Sequence, residues 1–170
     1  LRGMAPARGA EEGKRAILEA RALAGVGRLT EARERLSLRA HSDPRAAAAL
    51  ARLLLHEGDL AAALEFTSMA ATAAPHDVNV LVARGQALSR AGRMGEAERA
   101  FTAAIDPTAR PDGTIERLQA LEGAIQTRLA LGRVEDAERA LGVLEVEGSN
   151  FIATAFFRGA VAFAKRDYVA

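Results

Sequence analysis

The chain has 170 residues, 23 basic and 22 acidic groups and no cysteine, and 49% of it is hydrophobic, with alanine dominating that share. A net charge of +1 creates no long-range field that would select nucleic acid or an anionic membrane. The lack of cysteine excludes disulfides, thiolate nucleophiles and thiolate metal sites, and no apolar run approaches the roughly 18 residues that span a bilayer.

Scarce proline, abundant Ala, Leu, Arg and Glu, and no alternation of β-branched residues predict an all-α protein. Residues 1–11 (LRGMAPARGAE) lack apolar periodicity and are expected to be without regular structure, which leaves 12–170 as the folded part. Helices follow near 12–25, 30–41, 44–57, 60–73, 78–91, 95–105, 114–131, 135–145 and 151–165. Asp43-Pro44 places a capping carboxylate before a proline at the first helical position, and Asp77 is the expected cap of the fifth helix. DPTARPDG (Asp106–Gly113) has the turn chemistry of a loop.

A six-residue phrase punctuates these helices: GRLTEA at Gly27, GDLAAA at Gly58, GRMGEA at Gly92 and GRVEDA at Gly132, with RDYVA from Arg166 as the start of a fifth copy. The chain opens on Leu1 and stops inside that copy, so a piece of a longer protein is expected. The spacings are 31, 34, 40 and 34 residues, and a fixed period is the mark of a repeat architecture. Seven residues before each turn stand Ala20, Ala51, Gly85, Ile125 and Gly159; five after it stand Ala32, Ala63, Ala97 and Ala137. Two after it comes an apolar column of Leu29, Leu60, Met94, Val134 and Tyr168.

In period and in these small and apolar positions the chain resembles the tetratricopeptide-repeat (TPR) family, and its composition suggests a bacterial member. Pro44 and Pro75 stand where that family places its proline between repeats. The family's aromatic in the first helix is replaced by Ala16, Ala47, Leu81, Leu121 and Ala155. The resemblance implies an α-solenoid of stacked antiparallel helix pairs, a right-handed superhelix with four full repeats and a truncated fifth. It also implies that the small residues mark tight helix crossings, with Gly85 facing Ala97.

No constellation in the sequence carries catalysis, so catalytic, cofactor and metal residues are all expected to be absent. His41, His56 and His76 lie near helix ends without metal-ligand spacing, and HEGD lacks the second histidine of a zinc motif. Glu135-Asp136 opens a helix, where carboxylates favour the dipole. The glycines 85, 92 and 95 lack a preceding strand and a P-loop lysine.

In an array of this family the first helix of each pair lines a concave groove, where partners bind. Counting 13, 10, 6 and 3 residues back from each turn selects one helical stripe. It begins cationic with Lys14, Arg21, Arg45 and Arg52, becomes amide-rich with Asn79, Gln86, Gln119, Glu122 and Gln126, and ends apolar with Phe156 and Phe163. Arginines suit carboxylates and amides suit a peptide backbone, so the stripe is either a site for an acidic peptide or a solvated wall. Phe151, Phe156, Phe157 or Phe163 is left exposed unless another helix covers it, which implies self-association or a frayed C-terminus. The resulting expectation is a non-catalytic protein- or peptide-binding scaffold with no cofactor and no nucleic-acid partner. The alternatives are the docking segment of a larger sulfotransferase- or glycosyltransferase-like enzyme, or an envelope assembly or export lipoprotein.

Overall fold

A computed structural model describes residues 5–106, 114–148 and 152–167. Among these residues lie nine α-helices: α1 (Ala5–Gly25), α2 (Leu29–Ala40), α3 (Pro44–Glu57), α4 (Leu60–Ala73), α5 (Val78–Arg90), α6 (Met94–Ile105), α7 (Thr114–Ala130), α8 (Val134–Glu147) and α9 (Ile152–Asp167). They form two compact units, Leu1–Pro75 with α1–α4 and His76–Ala170 with α5–α9. The boundaries match the expected helices to within a few residues, with one substantial departure. Helix α1 starts at Ala5, so residues 5–11 of the stretch expected to lack structure are helical. Alanine carries no propensity cost and Pro6 sits in the first turn, where its missing N–H is not needed. Most of the Asp106–Gly113 loop and all of Tyr168 and Phe151 lie outside the described residues.

The repeated phrase has a backbone explanation. Gly27, Gly58, Gly92 and Gly132 have φ of 80, 87, 72 and 72°, the left-handed region that a Cβ disfavours. The next residue (Arg28, Asp59, Arg93 or Arg133) donates its N–H to the carbonyl five residues back, at 2.8–2.9 Å, and its own carbonyl accepts from Ala32, Ala63, Ala97 or Ala137. One residue thus closes one helix in a Schellman motif and opens the next. The four alanines are wholly buried, since a larger side chain there would push the paired helices apart.

Caps follow local chemistry. Asp43 accepts from the N–H of Arg45 and Ala46, Asp59 from Ala62 and Asp77 from Val80. Arg28 and Arg93 cannot accept, and instead fork onto Glu31 and Glu96 one turn later, each through two bonds of 2.6–2.7 Å. Those bonds hold both glutamates below the ordinary carboxylate range.

In the first unit α2 packs on both α1 and α3, α4 packs on α3, and α1 also meets α3 directly. In the second unit consecutive helices pack in sequence, and α7 also meets α5 and α9. Each unit is therefore built from stacked antiparallel pairs whose first helices touch. Gly85 is buried as expected, and the atoms nearest its Cβ site belong to Phe101, one helical turn beyond Ala97. A Cβ at Gly85 would lie 2.6 Å from the ring, and one at Gly123 of α7 would lie closer still. Phe101 (3% exposed) is thus slotted between two glycines from neighbouring helices. Ile125, the large exception among the small residues, is fully buried in a cluster with Ala137, Leu141, Leu144, Phe157 and Val161. At Gly159 nothing described lies within 4 Å of where a Cβ would stand, and the helix expected to cross there is not among the described residues.

Arginines tie the second unit together at its partly buried edges. Arg117 of α7 donates to both carboxylate oxygens of Glu147 on α8 (2.6 and 3.0 Å) and to the Ile105 carbonyl that ends α6 (2.9 Å). Glu98 of α6 receives Arg128 and Arg133 at 3.4 and 2.7 Å.

Candidate functional site

The expected cationic stripe belongs to the first unit, and the structure divides it. Lys14 is exposed and paired with Glu11 at 3.6 Å. Arg45 is half-buried at the start of α3, where its N–H is held by Asp43 at 2.9 Å. Arg21 of α1 and Arg52 of α3 come together around one open cleft of about 320 Å³. The cleft has an apolar floor that includes Ala20, Leu36 and Leu53, all at least nine-tenths buried. His56, one turn beyond Arg52 on α3, completes the polar part of the lining, which contains no carboxylate.

Sequence reasoning set His56 aside as a helix-end residue. Its signal was the i,i+4 spacing from Arg52, which puts both on one face. Elsewhere in the first unit α1 and α3 meet through a contact that sequence alone did not reveal. Gly13 of α1 is buried against the Asp43 carboxylate, and a Cβ at Gly13 would collide with that group. This lets the capped start of α3 approach α1 closely.

The amide-rich stretch belongs to the second unit. Asn79 and Gln86 on α5, and Gln119 and Glu122 on α7, are half-buried, whereas Gln126 is exposed. They stand on two helices that pack together. Glu122 differs from the rest: its Oε1 is buried without a hydrogen-bond partner, and burial pushes its carboxyl above the usual range. Ile17, Ala48, Val82 and Phe156 occupy the same offset before the other turns, so Glu122 is a carboxylate in an otherwise apolar column.

On α9 the aromatics divide between two faces. Phe157 is 6% exposed and belongs to the core, whereas Phe156 and Phe163 are 68% and 69% exposed, with Ile152 nearby at 92%. The histidines lie at helix ends and are exposed, with His41 against Phe66 at 5.9 Å between ring centroids. Among the described residues no three His, Cys, Asp or Glu side chains are grouped to hold a metal ion, and no helix is long and apolar enough to cross a membrane.

No family model and no curated protein matches the sequence. Solved structures do. The pilF protein of Pseudomonas aeruginosa matches with a TM-score of 0.79 at 21% identity, over 95% of this chain and 72% of that one. A tetratricopeptide repeat protein from Parabacteroides merdae matches at 0.68 and 15% identity, over 93% of this chain and 62% of that one. MamA of AMB-1 matches at 0.67 and 18% identity, over 96% and 84%. At these identities the likeness concerns the fold. Taken with the nine helices and their glycine turns, it establishes that the chain has the tetratricopeptide-repeat fold, an all-α helical-repeat solenoid.

Proposed function

We propose that this chain is a non-catalytic scaffold that binds an acidic segment of a protein partner on the first helices of its first unit, α1 and α3. One observation carries the reading: Arg21, on α1, lines an open cleft together with Arg52 of α3. Guanidinium groups bind carboxylates through paired hydrogen bonds, and Arg21 makes no ion pair among the described residues. In the second unit the amides of Asn79, Gln86, Gln119 and Gln126 would serve backbone groups of a separate segment. The role is the same whether the chain works alone, as the docking arm of an enzyme or in an envelope assembly.

The experiment is a peptide array probed with the wild type and with Arg21→Glu/Arg52→Glu. Acidic peptides should be captured by the wild type, should dissociate as salt is raised because exposed charges are screened, and should associate more slowly with the double reversal. Equal capture by both proteins refutes the site.

A second reading rests on α9. The exposed Ile152, Phe156 and Phe163 favour self-association through that helix, because apolar patches of this kind mark contact surfaces. Sedimentation velocity should show concentration-dependent dimerisation that Phe156→Ser/Phe163→Ser removes. A wild type that stays monomeric across the accessible concentration range refutes this second reading.

A further inference from the structure

In the second unit acidic and basic side chains meet one another across helices. Arg117 is held by Glu147, Arg128 and Arg133 by Glu98, Arg158 by Glu145 and Lys165 by Glu138. Glu122 of α7 stands apart from these pairs. Its Oε1 is enclosed without a hydrogen-bond partner, and no ion pair reaches the carboxylate among the described residues. Burial is the sole cause of its raised carboxyl, so no charged group on α5, α6, α8 or α9, the helices packed on α7, offsets the desolvation.

The fold does not ask for a carboxylate there. Val82 on the neighbouring α5 holds the same offset before its turn and is wholly buried. Enclosing an unpaired carboxylate costs free energy that such an apolar side chain avoids, and groups perturbed in this way cluster at functional sites. The residue as a whole is half-buried, so it can be reached from solvent. Gln119 and Gln126 stand three residues before and four after it, on the same face of α7, and Asn79 and Gln86 flank Val82 on α5 at the corresponding offsets.

We infer that Glu122 is the receiving carboxylate for one arginine side chain of a partner segment crossing α5 and α7, with the surrounding amide carbonyls accepting from the guanidinium's remaining donors. The inference rests on the scaffold reading above for the second unit, whose segment it makes basic, and is independent of the acidic segment assigned to the first. The occupant follows from the chemistry of the wall. A backbone N–H would satisfy one oxygen and leave the negative charge uncompensated. A lysine ammonium is compact and strongly hydrated, so it gives up more water on reaching a half-buried group. A guanidinium is more weakly hydrated and presents five donors in a planar fork. Two of them can meet the carboxylate, and the others need acceptors, which the amide oxygens of Asn79, Gln86, Gln119 and Gln126 provide.

The test uses the full chain and octapeptides of Gly, Ser and Ala with one variable central residue, followed by amide shifts in NMR titrations. The arginine peptide should bind about tenfold or more tightly than the citrulline peptide, which keeps the shape and loses the charge, because hydrogen bonds to charged groups are worth a factor of that order. Lysine should fall between the two, and the shifts should centre on α5 and α7. Glu122→Gln, which removes only the charge, should keep the wild-type fold and bind the arginine and citrulline peptides alike. If Glu122→Gln does not fold, Glu122→Met makes the same comparison.

Equal affinity of the wild type for the arginine and citrulline peptides overturns the inference. An arginine advantage that survives in Glu122→Gln assigns the binding to other carboxylates of the surface and overturns it as well. A lysine peptide that binds as tightly as the arginine peptide overturns the choice of a guanidinium. Acidic-peptide capture that persists while the arginine peptide fails leaves the first-unit reading standing, and the converse result removes that reading and keeps this one. Absence of binding by every peptide overturns both.

Discussion

Replacing Gly85 with alanine should destabilise the protein even though alanine is the better helix former. At an open helical position the exchange gains up to about 1 kcal/mol. Gly95 is such a position, with nothing within 4 Å of its Cβ site, so Gly95→Ala should stabilise by up to that amount. At Gly85 the new methyl would stand 2.6, 2.7 and 2.8 Å from three atoms of the Phe101 ring. The ring cannot retreat, because Gly123 confines it on α7 as Gly85 does on α5. Forcing extra volume into a packed core costs about 1–3 kcal/mol, so the two alanine variants should differ by roughly that amount, with Gly85→Leu worse than Gly85→Ala. Urea unfolding followed by far-ultraviolet circular dichroism measures all of them, provided the slopes stay equal. Phe101→Leu should relieve the overlap, so Gly85→Ala should cost less in that background, with a coupling of about 0.5–3 kcal/mol. A Gly85→Ala variant as stable as Gly95→Ala, with no coupling to Phe101, would show that the slot is not the constraint described.

Gly58→Ala at φ 87° should lose about 1–2 kcal/mol, the cost of a Cβ in a left-handed conformation; an unchanged unfolding midpoint would contradict the Schellman turn. Arg117→Lys should cost about 1 kcal/mol, because an ammonium cannot reproduce the two-bond fork onto Glu147 while also reaching Ile105; a double-mutant cycle with Glu147→Gln measures it, and zero coupling rejects it. Burial raises the Glu122 carboxyl, so the native state holds this proton more tightly than the unfolded one, and Glu122 lowers stability as pH rises from the unfolded value of about 4.5 through the raised native one. Glu122→Gln should therefore be more stable than wild type at neutral pH, with the advantage shrinking as pH falls through that window; parallel stability–pH curves would reject the buried carboxylate. The forks at Glu31 and Glu96 act in the opposite direction but are common to both proteins and cancel in the comparison.

The sequence by itself determined the helices, the turns and the repeat. Each depends on chemistry within a few residues: a glycine that alone tolerates positive φ at 27, 58, 92 and 132, aspartates at 43, 59 and 77 whose side chains reach an N–H two or three residues on, and an alanine five residues after each turn. That Arg21 and Arg52 lie toward one another in the first unit follows from the same local logic, since period fixes direction. What lies opposite a side chain depends on residues far away in the chain, and there only the tertiary structure decided. The atoms nearest the Gly85 Cβ site belong to the Phe101 ring, one turn beyond Ala97, and the repeat pattern does not reveal that. Gly13 serves the Asp43 cap 30 residues later, and His56 belongs with Arg21 because α1 and α3 are brought together over α2. Phe156 and Phe157 are neighbours of identical chemistry, yet one is exposed and the other buried, because adjacent helical residues point about 100° apart and only contact with α7 and α8 tells which direction is inward.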